Sequence, residues 1–491
     1  MLVFSKIIMQ GKRFMEKKEG KTPVTFSESV GIFTFLIVII IVGNIKLGIR
    51  IEILLITASA FVLALGIRHG YGWLELERAI SKRLADATPA ILIIWVIGMV
   101  TAAMMFSGTI PMFIYFGLKI INPKMMYLCS FLLCAILSLC TGSSWGSAAT
   151  GGVAVMGIAA GLGMNLPINA AAAVGGCIVG DKLSPLSDTT NLAPLAAGTD
   201  LYAHIRSMLW TTLPAGGVAA FIYFILGLKM DVGTLTELPE MTVNMMNDLK
   251  SVYNWNIIVL VPFVIIIGGA FLKKSAVLSM VAASLTAVLI GTFYQGFDFV
   301  KGLNSCINGF TVDMITSNEC CEEVIGLLNR GGMKSMAGIV IIIYCGYTFA
   351  SLISHMGFIQ TFTAPMIKRA TTPLKLIVCT LFTNFFIAAC AGSSYAAFIL
   401  SGEMYRDAYE KQGLGLNVLS RSMEDSGTMC MPLIPWGIAA GVYETSFGVS
   451  CLGTHLTDGY AVWAFNTYLN PIIAIVIAML GVGLYGSKKT K

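Results

Sequence analysis

Apolar residues run along this chain in long blocks rather than on one face of amphipathic elements. The blocks at 30–42, 51–65, 91–106 and 471–485 approach the length needed to cross about 30 Å of hydrocarbon. Between them lie short basic or glycine- and proline-rich turns. Two spans are predicted near 30–48 and 51–67, followed by a charged stretch, 68–86, read as a cytoplasmic interfacial helix. Pro89 is expected to open the next span, since a missing N–H costs little at a helix start. Asn122-Pro123-Lys124 marks a turn. Apolar residues 125–139 lead into Thr141-Gly142-Ser143-Ser144-Trp145-Gly146, then a small-residue helix over 147–162. Asn165-Leu166-Pro167 starts a helix that Gly180–Pro185 interrupts, and a span near 208–228 follows.

The pattern then repeats. A polar stretch, 229–250, reads as a linker, and spans at 257–272 and 276–293 match the opening pair. A long loop, 295–334, takes the place of the charged stretch. Ala391-Gly392-Ser393-Ser394-Tyr395 lies 250 residues after Thr141-Gly142-Ser143-Ser144-Trp145, and Gly427–Leu433 follows Gly180–Leu186 at a spacing of 247. Lys273-Lys274 suits the cytoplasm, whereas Lys46–Arg50 belongs outside if the N-terminus is inside, so the halves are expected to be inverted. The pair Lys368-Arg369 and Lys375 fits inversion less well. The predicted organisation is a basic leader (1–28), a first transmembrane repeat (29–228), a polar linker (229–254), a second repeat (255–486) and a basic tail (487–491). The fold class is an all-α polytopic membrane protein of two inverted-topology repeats with about 10–13 transmembrane segments.

Composition supports this and removes other classes. The 491 residues are 56% hydrophobic and only 12% charged, with 51 glycines. The alternating strands of an outer-membrane barrel are absent. A net charge of +6, clustered beside spans, suits membrane orientation better than nucleic-acid binding. Four isolated histidines give no metal-protease spacing. The twelve cysteines read mostly as small buried hydrophobes, with Cys306 and Cys320–Cys321 sharing one loop. Six cations before the first span, without a cleavable signal, place the N-terminus in the cytoplasm. No nucleophile–base pair or cofactor motif points to an enzyme. The faint P-loop likeness of 175–182 fails because Asp181 stands where the lysine is needed.

The chemistry concentrates where the apolar blocks break. Twelve residues, 180–191, hold two carboxylates, an ammonium and several hydroxyls amid apolar helix. Polar backbone at membrane depth must be enclosed in protein or line a watery cavity, and a broken helix with oxygen ligands is a common transporter cation site. Ser187, Asp188, Thr189 and Asn191 supply side-chain oxygens for sodium, and Ser143 and Ser144 at the other break can complete the shell. A loop at the membrane surface is the plainer alternative. A carboxylate partly withdrawn from water can trade a proton for a cation. Asp181, Asp188, Glu424 and Asp425 are the candidates for proton coupling, although Asp181 with Lys182 also reads as a structural ion pair and Glu424-Asp425 as a helix cap. Lys182, Ser393, Ser394 and Asn417 are candidate contacts for an organic substrate. Trp145 and Trp436, beside the breaks, read as packing residues first and gates second.

At residues 141–146 and 180–193, and again at 66–75, 94–118, 329–333 and 424–436, the chain resembles the NhaC family of sodium/proton antiporters, within the ion transporter superfamily. The resemblance covers nearly everything after residue 28. It implies a re-entrant hairpin and a broken helix in each inverted repeat, with tips at Ser143–Ser144 and Ser393–Ser394 and broken helices at 181–191 and 427–436. It also implies sodium/proton exchange by alternating access in the cytoplasmic membrane. Relatives with these motifs exchange malate for lactate with sodium, so an exchanger of organic acids or amino acids is the alternative. Sodium ions, protons and the bilayer are the expected partners, sodium is cargo rather than cofactor, and a homodimer is left open.

Overall fold

The computed structural model describes residues 21–40, 42–43, 47–229, 240–272, 274–316, 320–453, 455 and 457–484. Residues 1–20 of the basic leader, 230–239 of the polar linker, Lys46, Lys273 and the tail 487–491 lie outside the described residues. Among the described residues there is no strand, only helices, turns and short connections.

The first half comprises α1 (Phe26–Ile40), α2 (Ile51–Arg68), α3 (Trp73–Phe106), α4 (Thr109–Ile120), α5 (Met126–Thr141), α6 (Val153–Gly161), α7 (Leu166–Leu183), α8 (Asp188–Ala197) and α9 (Leu201–Leu228). Helix α10 (Glu240–Val252) packs against first-half helices α4 and α6. The second half comprises α11 (Val261–Phe271), α12 (Ala276–Phe293), α13 (Phe299–Asn308), α14 (Glu322–Leu328), α15 (Ala337–His355), α16 (Phe358–Arg369), α17 (Pro373–Ala391), α18 (Ser394–Lys411), α19 (Leu416–Gly427), α20 (Ile438–Phe447) and α21 (Phe465–Leu480). Among the described residues seven helices are long and apolar enough to cross a membrane, or eight if the pair 242–252 and 257–271, bent by 100°, counts as one span. With the three shorter apolar helices α1, α4 and α21 they reach the lower end of the expected range. Leucine, isoleucine and phenylalanine side chains such as Ile53, Phe61, Ile136, Leu278 and Leu285 face outward, as a lipid-facing surface requires.

Three expectations change. Pro89 does not open a helix; it lies inside the 34-residue α3, since packed helices in a membrane tolerate an interior proline despite the lost bond to the Ala85 carbonyl and the crowding of its ring. The loop 295–334 contains α13 and α14. The small-residue helix after Ser147 begins with a π-helical stretch, Ala148–Gly152, before α6; such stretches favour functional regions.

Backbone features recur at one spacing along the chain. Left-handed glycines recur 250 residues apart: Gly142 with Gly392, Gly163 with Gly413, and Gly198 with Gly448. Each ends a helix where an L side chain would be strained. Helices α8 and α20 are each ten residues long, and they too start 250 residues apart.

Helices α5 and α7 pack along their lengths. A Cβ at Gly176 would lie 2.1 Å from the Phe131 carbonyl oxygen, and one at Gly180 2.1 Å from that of Ala135. The glycines of 175–180 are therefore packing residues, which accounts for the P-loop likeness without phosphate.

Candidate functional site

The first half's hairpin turns at Gly142, whose φ of 64° lets α5 end and the chain reverse. Ser143 caps the next turn, its Oγ accepting from Gly146 N–H at 3.1 Å. Thr141 Oγ1 and Ser147 Oγ meet at 3.0 Å across the tip. The second half builds the same tip at Gly392, where Ser394 Oγ donates to the Gly427 carbonyl at 3.2 Å.

The first break separates α7 from α8 at Ser184–Ser187. Its geometry is held from within: Thr190 Oγ1 donates to the carbonyls of Asp181 at 3.2 Å and Lys182 at 3.0 Å. The Asn191 amide donates to the Pro185 and Ser187 carbonyls at 2.9 and 2.7 Å. Asn191 thus holds the break with its nitrogen and leaves only its oxygen for a cation. Before the second break, between α19 and α20, Asn384 holds the last turns of α19, its amide donating to the Met423 carbonyl at 2.7 Å. Trp436 donates from Nε1 to the Ala389 carbonyl at 2.7 Å, which makes it an anchor for this break.

Both tips and both breaks open on one cavity of about 1000 Å³. Its lining includes Ser143, Ser144, Asp181, Ser187, Asp188, Thr189, Asn191, Ser393, Ser394 and Thr428. Every residue proposed as a sodium ligand is brought here. The opposite wall is α3 near Pro89 together with α11, α12 and the turn between them, including Lys274.

The buried acid of this cavity is Asp181, only 6% exposed. Its carboxylate faces the hydroxyls of Ser187 and Ser144 and the Ser144 backbone N–H. Tyr443, on α20, brings its phenol from the other half toward Ser144 and Asp181. Asp188, the first residue of α8, is the more exposed of the two cavity acids. Two carboxylates surrounded by hydroxyls make a hard oxygen environment suited to a small cation.

The remaining candidates lie deeper. Lys182 does not pair with Asp181; its ammonium donates to Asp425 Oδ1 and, at 2.9 Å, to Asn470 Oδ1, with both charged side chains fully buried. Thr211 Oγ1 donates to the same Asp425 oxygen at 2.8 Å, and Arg421 Nε lies 3.9 Å from the other. This cluster joins α7, α9, α19 and α21. Glu424 is also fully buried, and neither of its oxygens has a hydrogen-bond partner among the described residues. It stands within electrostatic range of Lys182 and Asp181, one turn before cavity-lining Thr428. Asn417 sits half-buried in the first turn of α19 and is not part of the cavity lining.

Thr428 falls in the second break expected at 427–436, whereas Tyr443 carries no signal in the sequence. Tyr443 lies in an ordinary apolar stretch, and only the fold brings it across to the first tip.

The sequence pattern described as the Na+/H+ antiporter family matches residues 176–482, which hold both breaks and the second tip. The chain belongs to the Na+/H+ antiporter family. It is 37% identical, over 89% of its length and 92% of the relative's, to a protein of Haemophilus influenzae named as an uncharacterized Na+/H+ antiporter. It is 31% identical to the Na+/H+ antiporter NhaC of Alkalihalophilus pseudofirmus, over 96% of this chain and 98% of the relative. It is also 29% identical to the malate-2H+/Na+-lactate antiporter of Bacillus subtilis, with the same coverage. Family membership and the long apolar helices make this a multi-pass membrane transporter, with sodium and protons as the ions that the family moves.

Proposed function

We propose that this antiporter-family protein exchanges sodium for protons across the cytoplasmic membrane, with its N-terminus inside, and does so by alternating access. The observation that carries the reading is the meeting of Asp181 with Ser144, Ser187 and Tyr443 at one cavity formed by both tips and both breaks. A dehydrated sodium ion takes carboxylate and hydroxyl oxygens there, and a proton on the carboxylate removes the charge that holds it. Occupation by sodium and occupation by a proton then exclude each other, which is the condition for coupled exchange. Asp188, Thr189 and the Asn191 oxygen lie on the approach. Glu424, buried beside the cavity floor at Thr428, is the second group suited to hold a proton, whereas the ion pair with Lys182 gives Asp425 a structural part. Alternating access follows if the halves are inverted and the tips and broken helices move against the wall formed by α3, α11 and α12.

The second reading is exchange of a small organic acid or amino acid together with sodium. The cavity of about 1000 Å³ favours it, being larger than a bare cation needs, and Ser393 and Ser394 line it. Lys182 is committed to Asp425, so among the described residues the cation lining the cavity for an organic carboxylate is Lys274. Purified protein in liposomes tests both readings. Sodium added alone should move protons in the wild type and not in the Asp181→Asn variant. Sodium-driven proton movement that survives in Asp181→Asn would remove the proposed site.

A further inference from the structure

Helices α8 and α20 end alike. Each is ten residues long, closes on a left-handed glycine, Gly198 or Gly448, and leaves its last carbonyls without partners inside the helix. In both, an arginine from elsewhere in the fold takes those carbonyls. Arg406 on α18 donates from Nε to Ala197 O at 3.0 Å and from Nη2 to Ala196 O at 2.8 Å. Arg330, just before α15, donates from Nη1 to Phe447 O at 3.3 Å. The guanidinium lies so close over each glycine that a Cβ at Gly198 would be 3.1 Å from Arg406, and one at Gly448 3.3 Å from Arg330. Glycine is therefore required twice over, by its backbone conformation and by the guanidinium above it.

We propose that Arg406 is a positioning residue for the cation site, acting through α8, and that Arg330 is its counterpart on α20. The inference rests on the sodium/proton reading only for the identity of the ion. Helix α8 is roughly 15 Å long. Its far end carries the carbonyls that Arg406 holds; its near end carries Ser187 and Asp188 into the cavity. A tilt of about 10° at the far end displaces the near end by roughly 2.5 Å, given that length, which is more than a sodium shell tolerates. Arg406 also stands on the helix that begins at Ser394, the second tip. It thereby ties the first half's broken helix to the second half's hairpin, two elements that line the same cavity. The positive charge favours the negative end of the α8 dipole as well, and neither arginine touches the cavity itself.

The test compares wild type, Arg406→Gln and Arg406→Lys in vesicles, reading half-saturating sodium, maximal exchange rate and thermal stability in detergent. The expected result for Arg406→Gln is a rise in half-saturating sodium of about fivefold or more, with maximal rate held within about twofold. Arg406→Lys, which keeps the charge and one hydrogen bond, should fall between. If Arg406→Gln does not insert, Arg406→Lys against wild type is read in the same way. Unchanged half-saturation overturns the proposal, whatever happens to rate or stability. If the wild type responds to an organic solute and not to sodium alone, the sodium reading has failed. The same comparison made with that solute then still decides the role of Arg406.

Discussion

Lys182 and Asp425, 243 residues apart in the chain, form a fully buried ion pair that ties the first half's broken helix to the second's. Removing one partner of a buried ion pair costs about 3–5 kcal/mol, more than removing both. Lys182→Met and Asp425→Asn should each lower the thermal unfolding midpoint in detergent markedly, Asp425→Asn the more because buried Arg421, 3.9 Å from its other oxygen, also loses its partner, and the double variant should recover only part of the loss. A single variant as stable as the wild type would refute the structural part given to this pair.

The two cavity acids should separate by burial. Asp181 faces two hydroxyls at 6% exposure, while Asp188 is exposed at the start of α8. Asp181→Asn is expected to abolish sodium-dependent exchange. Asp188→Asn should raise half-saturating sodium several-fold and leave a measurable maximal rate, the pattern of lost uniform binding. Isotopic sodium uptake at a series of concentrations distinguishes them, and the reverse ranking would move the site to the mouth of the cavity.

Tyr443→Phe removes a single hydroxyl that approaches Ser144 in the cavity lining and preserves the ring's packing. Half-saturating sodium should increase by about threefold to tenfold, matching the roughly 1 kcal/mol of one hydrogen bond, without a change in thermal stability. An identical sodium dependence would exclude the phenol from the site.

Glu424→Gln keeps the side chain's volume and removes its exchangeable proton. Because neither carboxyl oxygen has a partner among the described residues, no bond is broken and stability should be unchanged. Proton movement driven by sodium should slow at least tenfold, a loss of about 1.4 kcal/mol in barrier terms. Full activity would leave Asp181 as the proton carrier on its own.

Much of this was legible in the sequence because glycine, serine and proline clustered between long apolar blocks interrupt a helix where nothing but enclosed polar backbone can follow. The two tips, the two breaks and the 250-residue spacing could all be read directly, and the six proposed sodium ligands do share one cavity. What could not be read was pairing at a distance. Asp181 and Lys182 are neighbours in sequence, yet successive helical residues face different ways, so one meets the cavity and the other meets Asp425. Asn191 has the chemistry of a ligand, while its amide is engaged in holding the break. Tyr443, Arg406 and Arg330 act through tertiary approach alone. Pro89 misled for a simpler reason: packing in a membrane bundle tolerates an interior proline whose cost of about 3 kcal/mol would break a solvated helix.

Gly180→Ala offers a check on the framework itself. The added methyl would stand 2.1 Å from the Ala135 carbonyl oxygen, a clash with backbone that forces α5 and α7 apart. A loss of about 1–3 kcal/mol or more is expected, seen as reduced thermal stability and weakened exchange. Normal stability would contradict the close packing of these helices.

The most direct measurement uses everted membrane vesicles with an acidic lumen and a fluorescent pH probe. Sodium is added first, then malate, lactate or a basic amino acid. Alkalinisation of the lumen on sodium alone, lost in Asp181→Asn, is the result expected of a sodium/proton antiporter working through this cavity. A lumen that stays acidic until an organic solute is supplied would contradict it, and would assign the cavity to organic-solute exchange.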